Sequence, residues 1–175
     1  MRIFAGIMTV LHTPRLEITE LSAYNAGFVI ELLNSPGWLQ YIGDRGVQTT
    51  DDAIGWMMKG PMKSYVERGY GLWLVKLADQ NEPIGICGLI HRDYLPHADI
   101  GLAFLPQYCG QGYASEAATA VLQFAADKGL EAVQAITMPE NEPSLRLLKK
   151  LGFEESGLIS PPGELEPLVL LTRVL

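Results

Sequence analysis

Cysteine and histidine are scarce in this sequence, and their scarcity excludes two kinds of protein. The 175 residues include two cysteines, Cys87 and Cys109, and three histidines. Two cysteines outside a C-x-x-C pair do not form the disulfide framework of a small secreted protein, so we expect a reduced protein in the cytoplasm. The histidines lack the spacing of metal ligands, and we therefore expect no bound metal ion.

Positive charge is also limited. Thirteen Lys and Arg residues against 20 Asp and Glu residues give a formal net charge of −7. A protein that binds nucleic acid needs a basic face to neutralise phosphates, and no cluster of Lys and Arg is dense enough to form one. We expect no nucleic-acid partner, whereas an acidic surface tolerates or attracts cationic partners, amines among them.

Long hydrophobic runs are absent as well. No segment approaches the roughly 18 apolar residues of a membrane span, so we expect no membrane partner. The apolar residues 1–8 are followed by His12 and Pro14 too soon for a signal peptide. We hypothesise that translation begins at Met8; an intact Met1 or Arg2 terminus in the mass of the native protein would contradict this start.

The remaining composition is typical of one globular domain. Hydrophobic residues make up 48% of the chain and charged residues 19%, a balance that builds a core without disorder. A chain of 175 residues is too short for two full domains. We predict a single domain over residues 1–175 that acts as a monomer or a homodimer.

The spacing of apolar residues predicts helices and strands in a defined order. It begins with a strand at 15–19 and two helical regions, at 22–33 and 50–67, separated by a break at 34–37; the second helix should bend near Gly60-Pro61. Three strands follow, at 72–77, 84–91 and 98–105, and then a helix at 114–128. The order ends with a strand at 132–138, a short helix after Asn141 and two strands, at 153–158 and 165–174. This order predicts an α/β fold with about four helices and a mixed sheet, mostly antiparallel, with a parallel crossover in its second half.

A glycine loop between a strand and a helix carries the clearest functional signal. Leu105-Pro106 ends the strand, Gly110 and Gly112 lie in the loop, and the helix begins near Ala114. Glycine lets a backbone approach a ligand closely, and the unpaired N–H groups at the start of a helix favour an anion. The pattern predicts an anion-binding loop, although a plain structural turn has the same residues.

The dinucleotide-binding loop of an oxidoreductase is another interpretation. Its third glycine would fall on Ser115, and the acid that contacts a ribose would be Glu131, at the start of the next strand instead of its end. At least three predicted strands also precede the loop, whereas the dinucleotide loop normally follows the first strand of its unit. A nicotinamide-dependent enzyme is therefore disfavoured.

The loop and several other segments resemble one family. Gln107-x-x-Gly110-x-Gly112 resembles the Q/R-x-x-G-x-G/A loop that binds acyl-coenzyme A in the GNAT acetyltransferase superfamily. Four further segments are similar to its ribosomal-protein N-terminal acetyltransferase (RimJ/RimL-like) branch: Thr13-Pro14-Arg15-Leu16, Asp99-Ile100-Gly101, Gly112-Tyr113-Ala114-x-Glu116-Ala117 and Asn141-x-x-Ser144-x-x-x-Leu148-x-Lys150-Leu151-Gly152-Phe153. The resemblance implies the GNAT fold and an N-acetyltransferase. Such an enzyme passes acetyl from acetyl-coenzyme A (acetyl-CoA) to a primary amine, here a protein N terminus or a small molecule.

The resemblance also implies which residues hold the cofactor. Backbone N–H groups of the loop and the first helical turn would bind the pyrophosphate, and the pantetheine arm would pair with the strand that ends at Phe104-Leu105. The N–H groups of that strand can also polarise the thioester carbonyl. Asn141 would contact the cofactor and cap its own helix. The implied cofactor-binding residues are Phe104, Leu105, Gln107, Cys109, Gly110, Gln111, Gly112, Tyr113, Ala114, Ser115 and Asn141.

Two residues are the candidates for catalysis by this resemblance. Asp99 is the expected base, because family members carry an acid on this strand, and it would act on the amine through water; a salt-bridged strand residue is the alternative. Ser144 is the expected donor to the departing thiolate, with a plain position in the first turn of a helix as the alternative. Glu116 is explained by the helix dipole alone. A coenzyme A-binding sensor of the same fold, without turnover, remains the alternative function.

Overall fold

The core of the fold is a sheet of eight strands in the computed structural model, which describes residues 8–175. The spatial order of the strands is β1-β2-β3-β4-β5-β6-β8-β7. Their bounds are Thr9–His12 (β1), Leu16–Thr19 (β2), Leu72–Leu77 (β3), Glu82–Ile90 (β4), Asp99–Phe104 (β5), Ala132–Thr137 (β6), Glu154–Ile159 (β7) and Leu168–Val174 (β8). The choice between Met1 and Met8 as the start depends on residues 1–7, which lie outside the described residues.

Neighbouring strands are antiparallel at every step of the sheet except one. The exception is β5 and β6, which are parallel. The helix between them makes the crossover that parallel strands require. The predicted mixed, mostly antiparallel sheet with a parallel crossover in the second half is therefore confirmed.

Six α-helices cover the two faces of the sheet in the described part of the chain. Their bounds are Ala26–Leu33 (α1), Pro36–Tyr41 (α2), Thr50–Lys59 (α3), Pro61–Arg68 (α4), Tyr113–Asp127 (α5) and Glu142–Lys150 (α6). Local signals set several of their ends. Thr49 caps α3 by accepting a hydrogen bond from the Asp52 N–H at 3.1 Å. The helix α5 ends at Asp127, with Lys128 as its C-cap and Gly129, whose φ is +81°, after it.

Two elements differ from the predicted order. The break predicted at 34–37 does end α1 at Leu33, but it is shorter than predicted. The helix α2 begins at Pro36, because Ser35 is its N-cap and a proline is tolerated in the first turn, where its missing N–H would have no partner. The edge strand β1 was not predicted, since its four residues continue the apolar start of the chain and show no clear alternation. The predicted bend at Gly60-Pro61 is confirmed and separates α3 from α4, so the helices number more than the four predicted.

Apolar residues are buried on both faces of the sheet. One core packs α5 and α6 against the strands, with Val121 and Val133 fully buried. The other packs α1 and α3 against the opposite face, with Val29 and Met57 fully buried. No helix within residues 8–175 is long and apolar enough to cross a membrane.

Candidate active site

The parallel strands β5 and β6 separate almost as soon as they meet. Asp99 and Gln134 are the one residue pair that joins them in the described chain, beside a hydrogen bond from the Gln134 N–H to the Ala98 carbonyl at 2.8 Å. Over the rest of its length β5 stays paired with β4, and β6 stays paired with β8. The two strands therefore diverge toward their carboxyl ends and leave a cleft between two strand edges.

The hydrogen bonds of β5 show which of its N–H groups face this cleft. The Leu105 N–H donates to the Ile84 carbonyl at 2.9 Å and is used by the sheet. Because backbone groups of successive residues point to opposite sides of a strand, the N–H groups of Leu102 and Phe104 face β6. The Phe104 N–H is thus free within the described chain for the predicted contact with the pantetheine arm, which stays a prediction. The Leu105 N–H already has a partner in β4, so a contact of Leu105 with a cofactor, which stays a prediction, would use another of its groups.

The glycine loop lies at the carboxyl end of β5. A short 3₁₀ turn, Pro106–Tyr108, leads into it, and α5 begins directly after Gly112. Gly110 and Gly112 have φ values of +74° and +85°, the left-handed region that favours glycine. A Cβ atom added to Gly110 would meet no atom of the described chain within 4 Å, so this side of the loop is open to a ligand.

The N–H groups of the loop are mostly without protein acceptors. The Cys109 N–H is the exception among the predicted donors, because it donates to the Pro106 carbonyl at 3.2 Å; its predicted contact with the cofactor stays a prediction. The Gln107 carbonyl is held by the Gln111 side chain at 2.8 Å. Six successive N–H groups have no acceptor within the described residues, and all six were predicted to bind the cofactor: Gly110, Gln111, Gly112, Tyr113, Ala114 and Ser115.

A charged pair that the sequence did not assign to the site stabilises this junction. Glu116, in the first turn of α5, accepts hydrogen bonds from Thr13 Oγ1 at 2.6 Å and from Arg15 N and Nε at 2.9 and 2.6 Å. Arg15 Nη1 also donates to the Gln111 carbonyl at 3.0 Å. The turn between β1 and β2 is thereby tied to the loop. Both segments resembled the family by sequence, but no local signal indicated that they touch.

Asp99 lies at the closed end of the cleft and is 2% exposed. Its Oδ2 accepts a hydrogen bond from Arg92 Nε at 2.7 Å, whereas Oδ1 has no hydrogen-bond partner in the described chain. Burial raises the pKa of Asp99 to about 6, although Arg92 and the nearby backbone N–H of Ile136 lower it. Ile136 belongs to β6, so the carboxylate faces the opposite strand. Asp99 is salt-bridged and still keeps one oxygen free.

Asn141 and Ser144 lie at the carboxyl end of β6, opposite the glycine loop. Asn141 Oδ1 accepts a hydrogen bond from the Ser144 N–H at 3.3 Å, so the predicted N-cap of α6 is confirmed. Ser144 is half-buried, and its hydroxyl makes no hydrogen bond among residues 8–175. Five residues of strand, about 17 Å at the usual rise, separate Asp99 from Phe104. No hydrogen bond in the described part of the chain joins the two candidate catalytic residues, Asp99 and Ser144.

An open groove adjoins the loop along the outer side of α5. It encloses about 550 Å³ and is lined in part by Gly112, Ser115, Thr119 and Lys150. No cluster of three or more His, Cys, Asp or Glu residues within 8–175 has the arrangement of a metal site. Both cysteines are free thiols, Cys87 buried and Cys109 exposed.

Comparisons with known proteins identify the family. The Acetyltransferase (GNAT) domain family matches residues 15–154. The chain is 32% identical over 151 residues to an uncharacterised N-acetyltransferase, YnaD, of Bacillus subtilis, covering 83% of this chain and 82% of that protein.

Solved structures share the fold over nearly the whole chain. A crystal structure of an acetyltransferase from Agrobacterium tumefaciens superposes with a TM-score of 0.81 at 22% identity, covering 100% of this chain and 99% of the other. RimL, a ribosomal L7/L12 alpha-N-protein acetyltransferase solved in complex with coenzyme A, also gives 0.81, at 17% identity and with 96% and 98% covered. With the family match across most of its length, the chain belongs to the GNAT acetyltransferase family.

Proposed function

We propose that the protein transfers acetyl from acetyl-CoA to a primary amine by direct attack, as an N-acetyltransferase of one domain over residues 1–175. The observation that carries the proposal is the diverging pair β5 and β6, which ends at a glycine loop with six N–H groups free of protein acceptors. An extended ligand with an anionic end fits this arrangement. Both cysteines are free thiols, which supports the cytoplasm as the location, and we propose that the protein acts as a monomer or a homodimer.

The loop offers the pyrophosphate of coenzyme A a set of N–H donors at the positive end of a 15-residue helix. The helix dipole and its unpaired N–H groups both favour an anion there. The pantetheine arm then pairs with the free edge of β5, where Leu102 and Phe104 face the cleft. The Asn141 side chain, whose oxygen caps α6, keeps its amide N–H₂ for the arm from the opposite strand. RimL, which shares the fold, was solved with coenzyme A.

The chemistry is the attack of a neutral amine on the thioester carbon. The new C–N bond forms as the C–S bond breaks, the amine loses a proton, and the thiolate of coenzyme A leaves. N–H groups on the free edge of β5 stabilise the oxyanion that develops on the carbonyl oxygen. Asp99 Oδ1 accepts the amine proton through water, and the Ser144 hydroxyl donates a hydrogen bond to the thiolate.

The pKa of the acceptor amine, set against that of Asp99, favours one class of acceptor. At about 6 it lies roughly two units below that of an α-amino group, about 7.7–8.0, and more than four units below that of a lysine side chain, about 10.4. Proton transfer from an α-ammonium to Asp99 is therefore modestly uphill, whereas transfer from lysine is steeply uphill. A protein N terminus or a small molecule with a similarly weak basic amine is the acceptor we propose.

Direct binding and turnover test the proposal. Calorimetric titration with acetyl-CoA, coenzyme A and reduced nicotinamide cofactor should show micromolar binding of the first two and none of the third. Peptides with free N termini and small amines are then screened for acetylation, with the Asp99→Asn/Ser144→Ala protein as the comparison of reduced activity. Absence of acetyl-CoA binding would falsify the assignment. Binding without turnover of any amine, in the wild type as in the double variant, would favour the sensor of the same fold.

A further inference from the structure

We propose that Arg15 is a positioning residue for the cofactor loop, which orients the Gly112 N–H group toward the pyrophosphate of coenzyme A. The inference rests on the proposed function, because it assigns a role within the binding of that cofactor. Arg15 lies outside the glycine loop, in the turn between β1 and β2, and reaches the loop across about a hundred residues of chain.

The guanidinium of Arg15 is held from several sides at the start of α5. Nε donates to Glu116 Oε2 at 2.6 Å, and Nη1 donates to the Gln111 carbonyl at 3.0 Å. Its central carbon lies 4.4 Å from the centre of the Tyr113 ring. A Cβ atom added to Gly112 would lie 3.2 Å from Nη2. One planar group therefore contacts the Gln111 carbonyl and two residues of the helix, and it fills the space beside Gly112 that a side chain there would need.

The contact with the Gln111 carbonyl sets the direction of the Gly112 N–H group. Both groups belong to one planar trans peptide unit, in which C=O and N–H point in opposite directions. Since the carbonyl points at Arg15, the N–H points away from it. The neighbouring glycines Gly110 and Gly112 adopt positive φ and give this segment unusual conformational freedom. Arg15 removes that freedom by holding one orientation of the peptide.

The ion pair also adjusts the charge next to the phosphate site. Burial raises the pKa of the Glu116 carboxyl group, but hydrogen bonds from Thr13 and Arg15 outweigh it and keep the pKa below its usual value. Glu116 is therefore an anion in the helix turn where a pyrophosphate would bind, and Arg15 offsets its repulsion. A lysine at position 15 would supply the charge, but it lacks the planar fork that reaches a carboxylate and a carbonyl at once.

The test compares four variants in the binding of coenzyme A. In calorimetry we expect Arg15→Gln to weaken the affinity at least 20-fold and Arg15→Lys at least fivefold. The Arg15→Gln/Glu116→Gln protein should recover part of the lost affinity, because the Glu116 carboxylate no longer repels the pyrophosphate. It should not recover all of it, because the peptide between Gln111 and Gly112 is no longer held in one orientation. Lys63→Gln is the matched control, as it breaks the surface pair with Glu67 in α4, and it should bind within twofold of the wild type.

Amide NMR separates positioning from general damage to the fold. In the wild type, coenzyme A should move the Gly112 and Phe104 amide protons; in Arg15→Gln at saturation, the Phe104 shift should persist and the Gly112 shift should fall by more than half. Equal loss of both shifts would overturn the inference, as would wild-type affinity in both Arg15→Gln and Arg15→Lys. Where Arg15→Gln does not fold, Arg15→Lys is measured in the same way. A wild type that binds no coenzyme A would overturn the proposed function itself.

Discussion

Asp99 of β5 and Gln134 of β6 form the single point at which the two parallel strands pair in the described chain. The cleft that is proposed to hold the cofactor begins at this pair, because the strands diverge beyond it. The free oxygen of Asp99 lies at the closed end, and the glycine loop and the start of α6 lie at the open end. An extended cofactor that spans the cleft brings its two ends to chemically different surroundings.

Gly110 and Gly129 provide a matched test of the loop. Both have positive φ, +74° and +81°, and an added Cβ meets nothing within 4 Å of the described chain at either. A tryptophan at either position costs about 1–2 kcal/mol of folding free energy, because of the left-handed backbone. We expect Gly110→Trp to weaken coenzyme A binding more than 100-fold and Gly129→Trp to leave it within twofold. Similar affinities in the two folded variants would remove the loop from cofactor binding.

The side chain of Asn141 has two separable roles. Its oxygen caps α6, and its amide is proposed to contact the cofactor. Asn141→Ser keeps a capping oxygen and loses the amide, so we expect unchanged stability within about 0.5 kcal/mol and at least fivefold weaker coenzyme A binding. Asn141→Ala should lose about 1 kcal/mol as well as the affinity. Urea denaturation and calorimetry measure the two quantities, and full affinity in Asn141→Ser would leave the residue a cap only.

The pH dependence of turnover tests Asp99 as the base. Near neutral pH the acceptor is mostly protonated, so log kcat/KM rises with pH at a slope near one. Below about pH 6 Asp99 is also protonated, and the slope of the wild type should steepen toward two. Asp99→Asn should keep a slope of one throughout, with a loss of about 100-fold above pH 6 that shrinks below it. A loss that is equal at every pH would indicate positioning instead of proton transfer.

The thiolate role of Ser144 predicts a smaller effect. Ser144→Ala removes a hydroxyl that has no partner within the described residues, while the N–H that bonds Asn141 is retained. We expect the helix to be intact and kcat to fall up to tenfold with coenzyme A affinity unchanged, because the hydrogen bond forms mainly as the thiolate develops. The fall in kcat should be larger with acceptor amines that are weaker nucleophiles. A change in affinity alone would assign Ser144 to cofactor binding.

The sequence predicted those parts of the site that depend on local signals. Neighbouring residues determine the glycine loop, the helix after it and the Asn141 cap, and the sequence predicted the position of each correctly. The partner of the Leu105 N–H was not predictable, because Ile84 reaches it only when β4 and β5 pair in register. The partner of the Cys109 N–H is local, since the short 3₁₀ turn Pro106–Tyr108 brings the Pro106 carbonyl to it, but the sequence analysis did not predict that turn. Arg15 and Glu116 meet across a hundred residues, and a single sequence carries no sign of such a contact.

Arg92 forms a salt bridge with the buried carboxylate of Asp99. Removal of the Arg92 guanidinium should make the stability of the protein depend strongly on pH. Arg92 Nε lies 2.7 Å from Asp99 Oδ2, and Asp99 is 2% exposed while the Arg92 side chain is 31% exposed. Above pH 7 Asp99 is ionised in both the folded and the unfolded chain. Arg92→Gln then leaves a buried carboxylate without its partner, which should lower the free energy of unfolding by about 2–3 kcal/mol.

The sign of the pH effect follows from the direction of the pKa shift. Arg92 lowers the pKa of Asp99, so its loss raises that pKa further above 6, whereas the unfolded value stays near 3.9. Between these values the folded protein binds more protons, and its stability rises as the pH falls. In urea denaturation the loss of stability in Arg92→Gln should therefore become smaller from pH 8 to pH 5.

Two control variants separate the charge from packing. Arg146→Gln, which breaks the exposed pair with Glu142, should lose under about 0.5 kcal/mol at both pH values. The Arg92→Gln/Asp99→Asn protein should show no such recovery, since the titrating group is gone. A pH-independent deficit in Arg92→Gln alone would mean that the guanidinium acts through packing and not through the charge of Asp99.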